Sequence, residues 1–131
     1  MLMEKIITCL IIDDDPDDHE IFQLAIQHTC LQVNCIYTFD CFDAMRSLEK
    51  VDVLVPDFLF IDWNLNAMNG PECLFHLNQL PLAKSHVIFY SGILPPAANT
   101  DLLHTPNQYF LKKSNSVAQF ASELKTLLDR A

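Results

Sequence analysis

Residues 6–15 read Ile-Ile-Thr-Cys-Leu-Ile-Ile-Asp-Asp-Asp. An apolar run that stops at carboxylates is the pattern of a strand buried on both faces, whose polar residues begin where it leaves the sheet. Residues 58–62, Phe-Leu-Phe-Ile-Asp, repeat that pattern. His86 to Tyr90 is another such run, ending at Ser91-Gly92, and Tyr109 to Leu111 is another, ending at Lys112. Val33 to Phe39 is a further strand candidate, with Val33, Cys35 and Tyr37 on one face.

Between these runs the apolar residues recur at helical spacing. Asp15-Pro16 opens a helix, proline being suited to a first turn, and Ile21, Phe22, Ala25 and Ile26 share one face. Phe42, Met45 and Leu48 form the apolar face of a second helix. Gly70-Pro71 begins a third, with Cys73, Leu74, Leu77 and Leu80 buried, and Val117 to Leu128 closes the chain with Phe120, Leu124 and Leu127. Between Gly92 and Pro106 the prolines at 95, 96 and 106 leave only Ala97 to His104, room for a short or irregular helix of about two turns. Strands that are apolar throughout and alternate with helices predict an α/β fold. The expected form is a doubly wound parallel sheet of about five strands with helices on both faces.

The chain has 131 residues, which predicts one domain over 1–131 with no output domain. Half of the residues are apolar and 19% are charged, enough to close a core. A net charge of −9 and a pI near 4.7 exclude the clustered cations that bind nucleic acid. The N-terminal apolar run is too short to cross a bilayer and lacks a signal-peptide cleavage site, so the expected location is cytoplasmic. The cysteines at 9, 30, 35, 41 and 73 are odd in number and form no C-x-x-C pair. They predict neither a disulfide framework nor a zinc site and read as small buried hydrophobes.

In a doubly wound sheet the ligand site lies beyond the carboxyl ends of the strands. Those ends deliver Asp13 and Asp14, then Asp62, Ser91 and Lys112. Such a group would cost several kcal/mol to bury uncompensated, so a core does not explain it. Crowded carboxylates suit a hard divalent cation, and Mg²⁺ takes oxygen ligands and commonly binds phosphate oxygens. One carboxylate can then attack phosphorus as a nucleophile. Lys112 would pair with one phosphoryl oxygen, Ser91 would donate to another, and Gly92 would keep the approach open.

The segments LIIDDDPDD (10–18), FLFIDWNLNAMNG (58–70), YSG (90–92) and YFLKK (109–113) resemble the receiver domains of bacterial response regulators, in order and spacing along essentially the whole chain. DWNxxxMNG is closest to the single-domain, chemotaxis-type regulators of two-component systems. The resemblance implies a flavodoxin-like sheet in the order 2-1-3-4-5. It implies Asp62 as the phosphoacceptor, forming an acyl phosphate with a histidine kinase or a phosphotransfer protein as donor. Mg²⁺ would be held by Asp14, Asp62 and the backbone carbonyl of Asn64, with Asp13 acting through water. Ser91 and Lys112 would sense the phosphoryl group, and Tyr109 would be the aromatic whose rotamer follows Ser91. Output would pass by contact to a downstream protein, with homodimerisation on phosphorylation left open. Nothing points to catalysis beyond the protein's own phosphorylation and slow dephosphorylation.

Bland readings compete. Asp13 or Asp14 alone suits a helix cap, Ser91 a turn, Tyr109 strand filling, and Trp63 either a gate or a cover over apolar surface. Asp15, Asp17 and Asp18 read as an acidic first helical turn only. The chain also departs from the family pattern. Asn66 stands where a proline is common, Lys113 where the lysine is usually followed by a cis-linked proline, and the proline-broken 92–106 segment departs most. An EF-hand fails, because its sixth and twelfth positions hold Asp18 and Leu24. A phosphatase is disfavoured because Asn64 occupies the place of its second acid. A phosphorylation-independent pseudo-receiver and a phosphate sink in a phosphorelay are the remaining alternatives.

Overall fold

The run Ile7–Ile12 forms strand β1, buried along its whole length, as the unbroken apolar pattern requires. In chain order there follow α1 (Pro16–Thr29), β2 (Val33–Thr38), α2 (Cys41–Glu49), β3 (Phe58–Asp62), α3 (Gly70–Leu77), β4 (His86–Ser91), β5 (Gln108–Lys112) and α4 (Val117–Leu128). The computed structural model describes residues 6–50, 55–66, 68–79, 85–93, 108–114 and 116–130. Leu80 and the expected short or irregular helix between Gly92 and Pro106 lie outside the described residues. The five strands are all parallel and run in the order β2-β1-β3-β4-β5, the expected doubly wound order.

Alternation along each strand sorts the core into two layers. Cys9, Ile11, Phe58, Phe60, Ile88, Tyr90 and Leu111 pack with α1 and α4 residues such as Phe22, Phe120 and Leu124. Leu10, Ile12, Leu59, Ile61, Val87 and Phe89 pack with α2 and α3 on the other face. Three strands extend past their expected ends, β3 by one residue to Asp62. β4 continues through Ser91, and β5 continues to Lys112, which pairs with Ser91.

Helix starts are set by side-chain caps: Asp15, Asp40, Asn69 and Ser116 accept from the backbone N–H groups of Asp17, Asp43, Glu72 and Gln119. Asp15 as the α1 cap releases Asp13 and Asp14 from that role. Because α2 starts at Cys41, its inward row is Cys41, Ala44, Met45 and Leu48. Phe42 was expected in that row, but it lies about 100° around the helix from Cys41 and is 59% exposed. The cysteine expectation also needs correcting. Cys41 and Cys73 stand as a disulfide pair between α2 and α3, with Cα atoms 5.6 Å apart. Two helices lying on the same face of the sheet bring that pair together, and no sequence spacing announces it.

Candidate functional site

Asp13 follows β1 on the same alternation row as Cys9 and Ile11, and Asp62 ends β3 on the row of Phe58 and Phe60. Tyr90 on β4 shares that face. Lys113, next but one after Leu111, completes the set. All four therefore emerge on the α1/α4 side of the carboxyl edge. Asp14 and Ser91 belong to the opposite rows, and Asp14 brings its carboxylate to within 4.8 Å of those of Asp13 and Asp62.

Asp13 is fully buried. Its Oδ1 accepts from the Asp15 N–H at 2.9 Å. Its Oδ2 accepts from the Tyr90 hydroxyl at 2.6 Å and lies 3.2 Å from the Lys113 ammonium. The Asp13 carbonyl is 2.7 Å from Nε2 of the buried His19. Asp14 is half-buried, and its Oδ2 accepts from the Asn66 N–H at 2.9 Å. Proline, common at position 66 in the resembling family, has no N–H to give, so this departure adds a donor to the acidic edge.

Asp62 is 6% exposed. Its Oδ1 accepts from the Asn64 N–H at 3.1 Å, and its Oδ2 lies 3.3 Å from Lys113 Nζ. Burial pushes its pKa up from 3.8 to about 6. The Lys113 charge and the Asn64 N–H oppose that rise, while the Asp13 charge adds to it. Burial, followed by the Asp13 charge, holds the Tyr90 hydroxyl well above its ordinary pKa, so it remains a donor. Oxygens of Asp13, Asp14 and Asp62 all lie within 4.8 Å of one another. This hard, anionic oxygen set fits Mg²⁺ or Mn²⁺.

The lysine beside Asp62 is Lys113. Lys112 was expected there on the view that β5 ends at Leu111, but it is still a strand residue and is exposed. Lys113 is the first residue past the strand. Its N–H donates to the Ser91 carbonyl at 2.8 Å, and its ammonium lies 4.7 Å from the centre of the Tyr90 ring. No cis peptide occurs among the described residues.

Tyr109 is likewise not beside Ser91. It faces the α1/α4 layer, where its ring lies 5.8 Å from His86 and 4.7 Å from the Arg130 guanidinium. The aromatic on the Ser91 face of β5 is Phe110, 5.4 Å from the Trp63 ring. Trp63 also packs edge-on against Phe89, so it covers apolar surface. Ser91 is buried, and its Oγ accepts from the Ile93 N–H at 3.3 Å.

Two glycines behave differently. A Cβ at Gly70 would meet the Asp62 carbonyl oxygen and Phe89 Cδ1 at 3.0 Å, so glycine lets α3 start tight against β3 without displacing a neighbour. A Cβ at Gly92 would meet nothing within 4 Å among the described residues, and Gly92 lines an open cleft with Lys112 and Lys113.

Residues 9–125 match the family model described as the response regulator receiver domain. The chain belongs to that family. Among curated proteins no sequence relative matches. Solved structures share the fold at low identity. The chemotaxis response regulator CheY4 of Vibrio cholerae has a TM-score of 0.75 at 15% identity, over 95% of this chain and 100% of that one. The phosphorylated cyanobacterial phytochrome response regulator RcpA has a TM-score of 0.73 at 22% identity, over 94% and 91%. The Mn²⁺-bound form of response regulator Rcp1 has a TM-score of 0.71 at 21% identity, over 92% and 90%. No helix among the described residues is long and apolar enough to cross a membrane.

Proposed function

We propose that Asp62 accepts a phosphoryl group from a histidine kinase or phosphotransfer protein, and that the phosphorylated chain signals by contact with another protein. The observation carrying this reading is a buried carboxylate flanked by two acids on one side and an ammonium on the other. With a pKa near 6, Asp62 is largely ionised at neutral pH and more basic than an ordinary carboxylate. Its Oδ attacks phosphorus of a phosphohistidine, the P–N bond breaks, and the electron pair leaves with the imidazole nitrogen, which then takes up a proton.

Asp14, Asp62 and the Asn64 carbonyl would hold Mg²⁺, with Asp13 acting through water. The ion would supply positive charge to the transferring phosphoryl oxygens. Lys113 takes the part read from sequence for Lys112 and neutralises charge on the opposite side. Ser91 donates its hydroxyl to a phosphoryl oxygen. Phe110, on the Ser91 face, fits the relay position better than Tyr109. Asn64 cannot shuttle a proton, which supports an acceptor over a multiple-turnover phosphatase.

The test is incubation with acetyl phosphate and Mg²⁺, followed by intact-mass measurement. The expected result is one added phosphoryl group, absent in Asp62→Asn and absent when the metal is chelated. An unchanged wild-type mass would sink the reading and favour an interaction module that works without phosphorylation.

A further inference from the structure

Asp18 was read from sequence as a first-turn acid of α1 and nothing more. Its Oδ2 instead accepts from Lys113 Nζ at 2.7 Å, the shortest of that ammonium's three carboxylate contacts. The contact spans 95 positions of the chain and forms part of an open cleft of about 580 Å³ lined also by Gly92, Lys112, Ser114, Gln119 and Glu123. The two side chains are only 20% and 23% exposed, so bulk water screens the pair incompletely.

An ammonium has three N–H donors. Here one donates to Asp18 at 2.7 Å, while the Asp13 and Asp62 carboxylates lie 3.2 and 3.3 Å from the same nitrogen as ion pairs and the Tyr90 ring lies 4.7 Å from it. A phosphoryl group forming on Asp62 needs a donor from this ammonium, and the hydrogen bond that Nζ makes among the described residues is directed at Asp18 instead. Asp13 and Asp62 belong to the site itself. Asp18 belongs to α1 and contributes no oxygen to the three-acid group. Without it, the Asp13 and Asp62 carboxylates and the Tyr90 ring still flank the ammonium.

Resting on the phosphoacceptor reading, we propose that Asp18 is a restraining residue that competes with the incoming phosphoryl group for Lys113 and so slows phosphorylation of Asp62. Removing it frees one donor and takes one negative charge from the path of an anionic phosphodonor. Both effects act in the same direction. Asparagine at 18 keeps a weaker, neutral acceptor, so its effect falls between those of wild type and alanine.

The experiment measures initial rates of labelling by acetyl phosphate at saturating Mg²⁺, read by intact mass, for wild type, Asp18→Asn, Asp18→Ala and Asp17→Ala. Asp17 is the charge-matched control on the same turn. Asp18→Ala is expected to label roughly three- to tenfold faster than wild type, the range between an exposed and a partly desolvated ion pair. Asp18→Asn should lie between them, and Asp17→Ala should match wild type. A rate gain cannot come from a damaged fold, which would lose activity. The proposal is overturned if Asp18→Ala labels no faster than a wild type that does label, or if Asp17→Ala accelerates as much. If wild type takes no label, the phosphoacceptor reading itself fails and this one falls with it.

Discussion

Replacing Asp62 with asparagine should stabilise the protein at pH 7, although it removes the residue on which the proposed chemistry depends. The folded-state pKa of Asp62 is about 6, against 3.8 for the free side chain. A raised acid pKa means the folded state holds its proton more tightly than the unfolded chain. Its contribution is therefore most favourable below pH 3.8 and is lost as pH rises through 6. About two pKa units at about 1.4 kcal/mol each place the cost of ionised Asp62 near 3 kcal/mol at pH 7. Asparagine keeps an oxygen for the Asn64 N–H and has no charge to desolvate. For a domain of this size the gain corresponds to a rise of about 10 °C in Tm. The assay is thermal unfolding of both proteins in metal-free buffer from pH 4 to pH 8. The Tm difference should be near zero at pH 4, grow between pH 4 and 6, and level off above. A difference that is constant with pH, or an asparagine variant less stable at pH 7, would refute the argument. Mg²⁺ at neutral pH should narrow the gap by stabilising wild type alone, since a ligand that binds only the folded state adds to its stability.

Other consequences follow from single contacts. Lys113→Ala should lower the acetyl phosphate labelling rate on the order of a hundredfold, the usual scale for losing a preorganised charge at a transition state. Lys112→Ala should leave that rate within about twofold, because an exposed charge outside the site is largely screened. Gly70→Ala should cost about 1–3 kcal/mol in urea unfolding, since its Cβ meets the Asp62 carbonyl oxygen and Phe89 at 3.0 Å and one neighbour must shift. Tyr90→Phe removes a buried 2.6 Å donor from Asp13 and should destabilise by about 1–3 kcal/mol in the same assay; an unchanged urea midpoint would mean that Asp13 is satisfied without it.

The misplacing of Lys113, Tyr90 and Phe110 has one cause, and it bears on how receiver sites can be read. The runs at 6–12, 58–61, 86–90 and 109–111 identified the strands, and the polar residues ending them identified the edge that carries the site. What went unread was which side of the sheet each residue faces. Asp13 stands four and two positions beyond Cys9 and Ile11, and Asp62 four and two beyond Phe58 and Phe60, all in one layer. A side chain that meets both acids must come from the matching rows of β4 and β5. On β4 that row gives Tyr90, whose phenol, buried in an apolar run, needs a polar partner. On β5 it gives Leu111 and then Lys113, which excludes Lys112 and also separates Tyr109 from Ser91. Alternation thus held the signal for Lys113, Tyr90 and Phe110, provided β5 was allowed to run one residue further. That extra residue depends on the Ser91 carbonyl accepting from the Lys113 N–H, a contact between two strands. Asp18 had no comparable signal. An acid in the first turn of a helix is favourable without any partner. Its reach to Lys113 depends on where α1 crosses the end of β5, which only the packed layers determine.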